Sequence, residues 1–101
     1  MRQTELFSVF EWDTVKARAN LRKHGVGFSE AISVFSDPLA RIFGDEDHSA
    51  EEHREIIIGH SAARRLLLAC FTEREEGHIR IISARSATKG EWRDYEENIS
   101  I

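Results

Sequence analysis

The side chains able to do chemistry in this sequence are arginine, lysine, glutamate and histidine, and the stretch from His78 to Glu97 concentrates them. Arg80 lies inside the apolar run Ile79–Ala84, and Arg85 stands at its end. In an extended run the side chains alternate, so Ile79, Ile81 and Ser83 share one face while His78, Arg80 and Ile82 share the other. Arg80 is then either an arginine laid along the exposed face of a half-covered sheet or half of a pair. A bulge or the strand exit can re-aim Arg85 to the same side. Two guanidiniums on one face suit a phosphate. With Glu73, His24 or His78 to carry protons, and Arg54 on a neighbouring strand, these residue types suffice for one reaction that needs no cofactor. That reaction is cleavage of an RNA backbone by its own 2′-hydroxyl. A base takes the hydroxyl proton, a cation stabilises the pentacovalent phosphorane, and an acid protonates the leaving 5′-oxygen. From the residues alone, Glu73-Arg74 reads first as an ordinary charged turn.

The common alternatives are missing from the sequence. It has no glycine-rich phosphate loop, no Gly-x-Ser-x-Gly elbow, no zinc-spaced Cys/His set and no His-Glu-x-x-His. The five histidines, His24, His48, His53, His60 and His78, are scattered, which argues against a metal cluster. Asp45, Asp47 and Glu52 lack the glycine and closing glutamate of a calcium loop, so no metal is expected. Cys70, the lone cysteine, sits in an apolar run and reads as a small core residue with nothing nearby to activate its thiolate. A formal charge of −4 argues against holding nucleic acid by bulk electrostatics, although a local basic face stays open.

The elements that position these residues follow from spacing. A chain of 101 residues, 41% hydrophobic, fits one domain spanning 1–101. It shows no long apolar segment for a membrane span or export signal, so a cytoplasmic protein is expected. Phe7–Trp12 is a possible extra N-terminal strand. Asp13 caps a helix running through Lys16, Ala17 and Leu21 to His24, and Gly25 ends it. Arg22, Lys23 and His24 there face the negative end of the helix dipole, which alone would explain the basic cluster. Phe28–Phe35 reads as a second helix capped by Ser29, with Ala31, Ile32 and Phe35 inward, and Asp37-Pro38 stops it. Leu39–Phe43, Arg54–His60, Arg65–Thr72 and His78–Ala84 read as a four-stranded antiparallel meander, with Asp45–Glu52 a loop and Glu73–Gly77 a turn. Thr88 and Glu91 form a capping box for a last helix that buries Trp92, Tyr95 and Ile99. The expected class is α+β, with the helices on one sheet face and the other face open for a site.

A resemblance extends over nearly the whole chain. Trp12-Asp13, Lys16, Asn20, Lys23-His24-Gly25-Val26, Phe28 and Glu30-Ala31, then Asp37-Pro38, Arg54, Ile58-Gly59, Thr72-Glu73-Arg74, and Ile79 to Arg85 followed by Ala87-Thr88, Glu91 and Tyr95-Glu96 resemble the BrnT toxins of type II toxin–antitoxin systems. The resemblance implies a RelE-like fold and toxicity through RNA cleavage that blocks translation. It also implies a BrnA-like antitoxin partner that neutralises the toxin in a hetero-oligomer and alone carries DNA binding. On that basis Arg80, Arg85, Glu73, His24 and Arg54 are the catalytic candidates, and Lys16, Lys23, Arg74 and Lys89 the candidate RNA contacts. Trp92 departs from the pattern, since a basic residue commonly follows the glutamate of the last helix. It reads as core when buried and as an antitoxin anchor when exposed, core being favoured.

Two functions of different class compete. One is a metal-independent endoribonuclease toxin. The other is a non-catalytic protein-binding module acting as co-repressor with a DNA-binding partner. Catalysis needs Arg80 and Arg85 near an ionisable group, whereas a binding module would present an apolar groove.

Overall fold

The computed structural model describes residues 9–45 and 53–99, the side chain of Ile99 excepted. Asp13 is extended, at φ −83° and ψ 124°, and its Oδ1 accepts the amides of Val15 at 2.8 Å and Lys16 at 3.2 Å. Those two bonds satisfy amides that a helix start leaves orphaned, and helix α1 runs from there over Thr14–His24. They also hold the Asp13 carboxyl below its ordinary pKa, with Lys16 and Arg80 adding a favourable charge. Gly25 closes α1 in the left-handed region, at φ 70°, its amide donating to Leu21 O. Helix α2, Phe28–Ser33, has its cap two residues earlier than the sequence predicts. Gly27, not Ser29, is its cap, because the ring of Phe28 is buried within the first turn. A 3₁₀ turn over Val34–Ser36 then delivers the chain to Asp37.

The strands are β1 (Val9–Glu11), β2 (Arg41–Gly44), β3 (Glu55–His60), β4 (Leu66–Glu75) and β5 (His78–Ser86), in the spatial order β1-β5-β4-β3-β2. The expected four-stranded antiparallel sheet is therefore a five-stranded mixed one. The possible N-terminal strand is present over Val9–Glu11 and lies parallel to β5, with Glu11 opposite Arg80. The hairpin turn is also tighter than expected. Strand β4 continues through Glu73 to Glu75, and Gly77 takes the left-handed conformation at φ 83°.

The helices occupy both faces, not one. Helices α1 and α2 cover the face formed by Ile57, Leu67, Ala69, Phe71, Ile79 and Ile81. Helix α3 (Lys89–Ile99) lies on the opposite face, where Tyr95 packs with Ile58, Leu66 and Leu68. It covers only one end of that face. Trp92, expected in the core, is 41% exposed, with its ring edge-to-face against His60 at 5.8 Å. The stripe of α3 turned to the sheet carries Tyr95, and Trp92 falls to one side of it.

Two polar side chains hold this arrangement together. Strand β1 pairs with β5 only as far as Arg80, so beyond it β5 has β4 on one side and, among the described residues, no strand on the other. Asn20 takes that place: its Oδ1 accepts from Ala84 N at 3.1 Å, and its Nδ2 donates to Ala84 O and Val26 O, both at 2.9 Å. Asp37 is the second. Burial pushes its carboxyl pKa up, but bonds from the amides of His60 (2.7 Å) and Leu39 (2.9 Å) and from the Tyr95 hydroxyl (3.2 Å) outweigh that and keep it low. Asp37 thus ties α3 to the α2–β2 connection. Gly59 packs under it, and a Cβ there would lie 2.9 Å from the Cβ of Ala40 and 3.0 Å from Val34 Cγ1. Neither atom can swing aside, so Gly59→Ala is expected to destabilise the fold by about 1–3 kcal/mol in urea unfolding.

Candidate active site

A bulge builds the site. Between β4 and β5 the register runs Cys70↔Ser83 and then Phe71↔Ile81, so Ile82 has no cross-strand partner. The extra residue shifts the alternation by one. Ser83 and Arg85, which strict alternation puts with Ile81, cross to the face that Arg80 already occupies. Arg80 stands opposite Thr72 and Arg85 opposite Leu68, so the two are four residues apart along β4, about 13 Å.

Extending the β3–β4 register places Arg54 in line with Thr72 and Arg80, about 10 Å from Arg80 across one intervening strand. The next row along, Ile56, Cys70 and Ser83, is the floor. Above it opens a cleft of about 310 Å³ lined by Asp45, Arg54, Ile56, Leu68, Cys70, Ile82, Ser83 and Arg85. Cys70 is therefore cleft floor and not core, its Sγ 3.7 Å from Asp45 Oδ2. The cleft sits beside α3, in the part of the face that this helix leaves uncovered.

Arg85 is held firmly. Its Nη1 and Nη2 donate to the two carboxylate oxygens of Glu91, each at 2.8 Å. Glu91 also completes the capping box of α3, accepting from Thr88 N at 2.9 Å while its own amide donates to Thr88 Oγ1 at 3.1 Å. The Arg85 guanidinium, ahead of the opposing burial and the helped-along Thr88 bonds, lowers the Glu91 pKa from 4.5 to about 2. The folded state thus binds the Glu91 proton more weakly than the unfolded chain. The stability that this group contributes is full above pH 4.5 and is lost as pH falls toward about 2. Arg85 is 42% exposed, so solvent screening leaves about 1–2 kcal/mol of it. Glu91→Gln is expected to lower urea stability by that amount at neutral pH, and the gap to wild type should close as both proteins are taken through that acid window.

The other sequence candidates are dispersed. Arg80 pairs with Glu11 at 3.3 Å, one same-face row beyond the Cys70–Ser83 floor and outside the residues that line the cleft. Glu73 lies opposite Ile79, on the far face from the arginines, and its Oε2 accepts the Gly77 amide at 2.8 Å, closing the β4–β5 turn. Arg74 occupies a second register shift of that hairpin. His24 and Lys23 are exposed in the last turn of α1, and Lys16 is in its first turn. Lys89 opens α3, beside Trp92 and Arg93. His78 is at the start of β5, two residues from Arg80. None of these histidines lines the cleft. Asp45, weighed from sequence only as a calcium ligand, is the carboxylate that does; Asp47 and Glu52 fall outside the described residues. Its position at the mouth of a β2–β3 hairpin could have been read from the acidic run that begins there.

Three comparisons bear on this geometry. The family described as "Ribonuclease toxin, BrnT, of type II toxin-antitoxin system" matches residues 12–91. No curated protein gives a significant match. Among solved structures, the 1.1 Å crystal structure of the Brucella abortus ribonuclease toxin BrnT superposes with a TM-score of 0.62 at 24% identity, covering 83% of this chain and 100% of that one.

Proposed function

The chain belongs to the BrnT family of ribonuclease toxins of type II toxin–antitoxin systems, and from that premise we propose that it cleaves RNA in the arginine-lined cleft without a metal ion. The observation that carries this reading is the bulge at Ile82, which brings Arg80, Ser83 and Arg85 to one face with Arg54. A scissile phosphate bound over the Cys70–Ser83 floor lies midway between the rows of Arg80 and Arg85, with Arg54 across the sheet, so that all three guanidiniums reach its oxygens. Asp45 is the base: its carboxylate takes the 2′-hydroxyl proton, the 2′-oxygen bonds to phosphorus, and the P–O5′ bond breaks to leave a 2′,3′-cyclic phosphate. The arginines stabilise the charge that develops on the phosphorane oxygens without titrating. The departing 5′-oxygen takes a proton from solvent, which the open cleft admits. Ser83 donates to a non-bridging oxygen.

In this reading RNA cleavage blocks translation in the cytoplasm. A BrnA-like antitoxin neutralises the toxin by covering the basic face, and DNA is reached only through that partner. Among the described residues no helix is long and apolar enough to cross a membrane. The test is controlled bacterial expression of wild type and an R80A, R85A double variant, following growth and total RNA together. Growth arrest with RNA degradation in wild type alone is expected, and relief on co-expression of the antitoxin. Arrest by both proteins with RNA intact, or by neither, overturns it.

A further inference from the structure

Strand β2 is the outer strand of the sheet, with β3 on one side and, among the described residues, no strand on the other. All four of its residues are exposed, Ile42 at 54% and Phe43 at 47%. The amide of Asp45 donates to Arg54 O at 2.9 Å, which makes Asp45–Arg54 a hydrogen-bonded pair of the antiparallel ladder. Such pairs alternate with non-bonded ones. Arg41 and Phe43 therefore bond toward β3, while the N–H and C=O groups of Ile42 and Gly44 point away from it.

We infer that this edge pairs, antiparallel and about a two-fold axis, with β2 of a second copy of the chain. The inference does not depend on the RNA chemistry. A two-fold axis allows few registers, because residue i must face residue j in both directions. Setting Ile42 opposite Ile42, or Gly44 opposite Gly44, uses only half of the outward groups. Setting Ile42 opposite Gly44 of the other copy uses all of them, in four backbone hydrogen bonds. That one register also places Phe43 against Phe43 at the close, non-bonded spacing, where aromatic pairs are favourable. It places Arg41 opposite Asp45 twice over. Asp45 accepts from Cys70 Sγ, and its two carboxylate oxygens offer about four acceptor sites in all. Backbone, aromatic and charge complementarity thus select the same register, and the two sheets become one continuous sheet.

The test is sedimentation equilibrium of the full-length chain at micromolar concentrations, with wild type, R41D, D45R and an equimolar mixture of the two variants. A wild-type dimer is expected. Each variant alone faces like charge against like and should dissociate at least about tenfold more readily. In the mixture, the carboxylate introduced by R41D meets the guanidinium introduced by D45R while native Arg41 meets native Asp45, so the dimer should return. A second set, F43E, F43K and their mixture, follows the same logic at a position that is exposed in the monomer, and it decides the matter should D45R fail to fold. A wild-type chain that remains monomeric, as it would if the edge served a strand of another protein, overturns the inference. So do single variants that dimerise like wild type, or folded variants whose mixtures stay monomeric.

Discussion

Alanine in place of Arg80 is expected to slow RNA cleavage by about 10²–10³-fold, the usual cost of removing one preorganised donor to a developing oxyanion. Stability should hardly move. Among the described residues the side chain of Arg80 pairs with Glu11 at 3.3 Å, with Asp13 a further favourable charge, and at 35% and 48% exposure the Arg80–Glu11 pair contributes at most about 1 kcal/mol. Arg80→Ala therefore separates chemistry from folding. Arg85→Ala does not, because the same guanidinium clamps Glu91 at the first turn of α3, and its removal should lower both activity and stability. Glu91→Gln supplies the contrast: it weakens the clamp while leaving Arg85 in place, and cleavage by the folded fraction should stay within a few-fold of wild type. An R80A protein with a wild-type unfolding curve and a wild-type cleavage rate would remove Arg80 from the site.

Asn20→Leu is expected to be the most damaging single change to the fold, costing about 3–5 kcal/mol in denaturant unfolding. Leucine keeps the four-heavy-atom branched shape of asparagine and leaves no cavity, so the loss is one of hydrogen bonds. The side-chain amide closes hydrogen bonds with both backbone groups of Ala84 and with Val26 O, at a position only 7% exposed. Removing it leaves an amide and two carbonyls buried without partners, at about 1–3 kcal/mol each before relaxation. Asn20→Asp should also be harmful, since a carboxylate can accept from Ala84 N but cannot donate to either carbonyl. A midpoint within a few tenths molar of wild type for Asn20→Leu would mean that water replaces the amide and that the edge of β5 needs no surrogate strand.

Much of the scaffold was legible in the sequence. Asp13, Gly25 and the Thr88–Glu91 pair mark helix ends by local chemistry, and each does so in the structure. The strands of the meander fell where apolar runs met turn residues. What failed was long-range. Nothing local tells Val9–Glu11 that it will join β5 in parallel, or α3 that it will cross to the face opposite α1 and α2. The same holds for the site. That Arg80 and Arg85 could share a face was readable only as a condition on a bulge, because one unpaired residue, Ile82, decides it and its register depends on β4. Glu73 looked like a turn residue poised for proton transfer, but the strand runs past it, and alternation sends it to the other face. The place of Asp45 in the cleft is hidden in the sequence, because its distance from Arg54 along the chain masks their adjacency across a hairpin. Several residues that carry the family resemblance prove to be scaffold: Glu30 grips Arg65 through two bonds of 2.9 and 2.6 Å, and Asn20, Asp37 and Gly59 fix the packing around the sheet.

The most direct test of an arginine-lined, metal-independent ribonuclease site is the 3′-end chemistry and rate of cleavage of a defined RNA in excess EDTA, with wild type and the Arg54→Ala, Arg80→Ala and Arg85→Ala proteins side by side. Products ending in 2′,3′-cyclic phosphate at a rate untouched by EDTA, with each substitution slowing their appearance at least about a hundredfold, are expected. Cleavage that stops with EDTA, products that end in a free 3′-hydroxyl, or three variants as fast as wild type would contradict it.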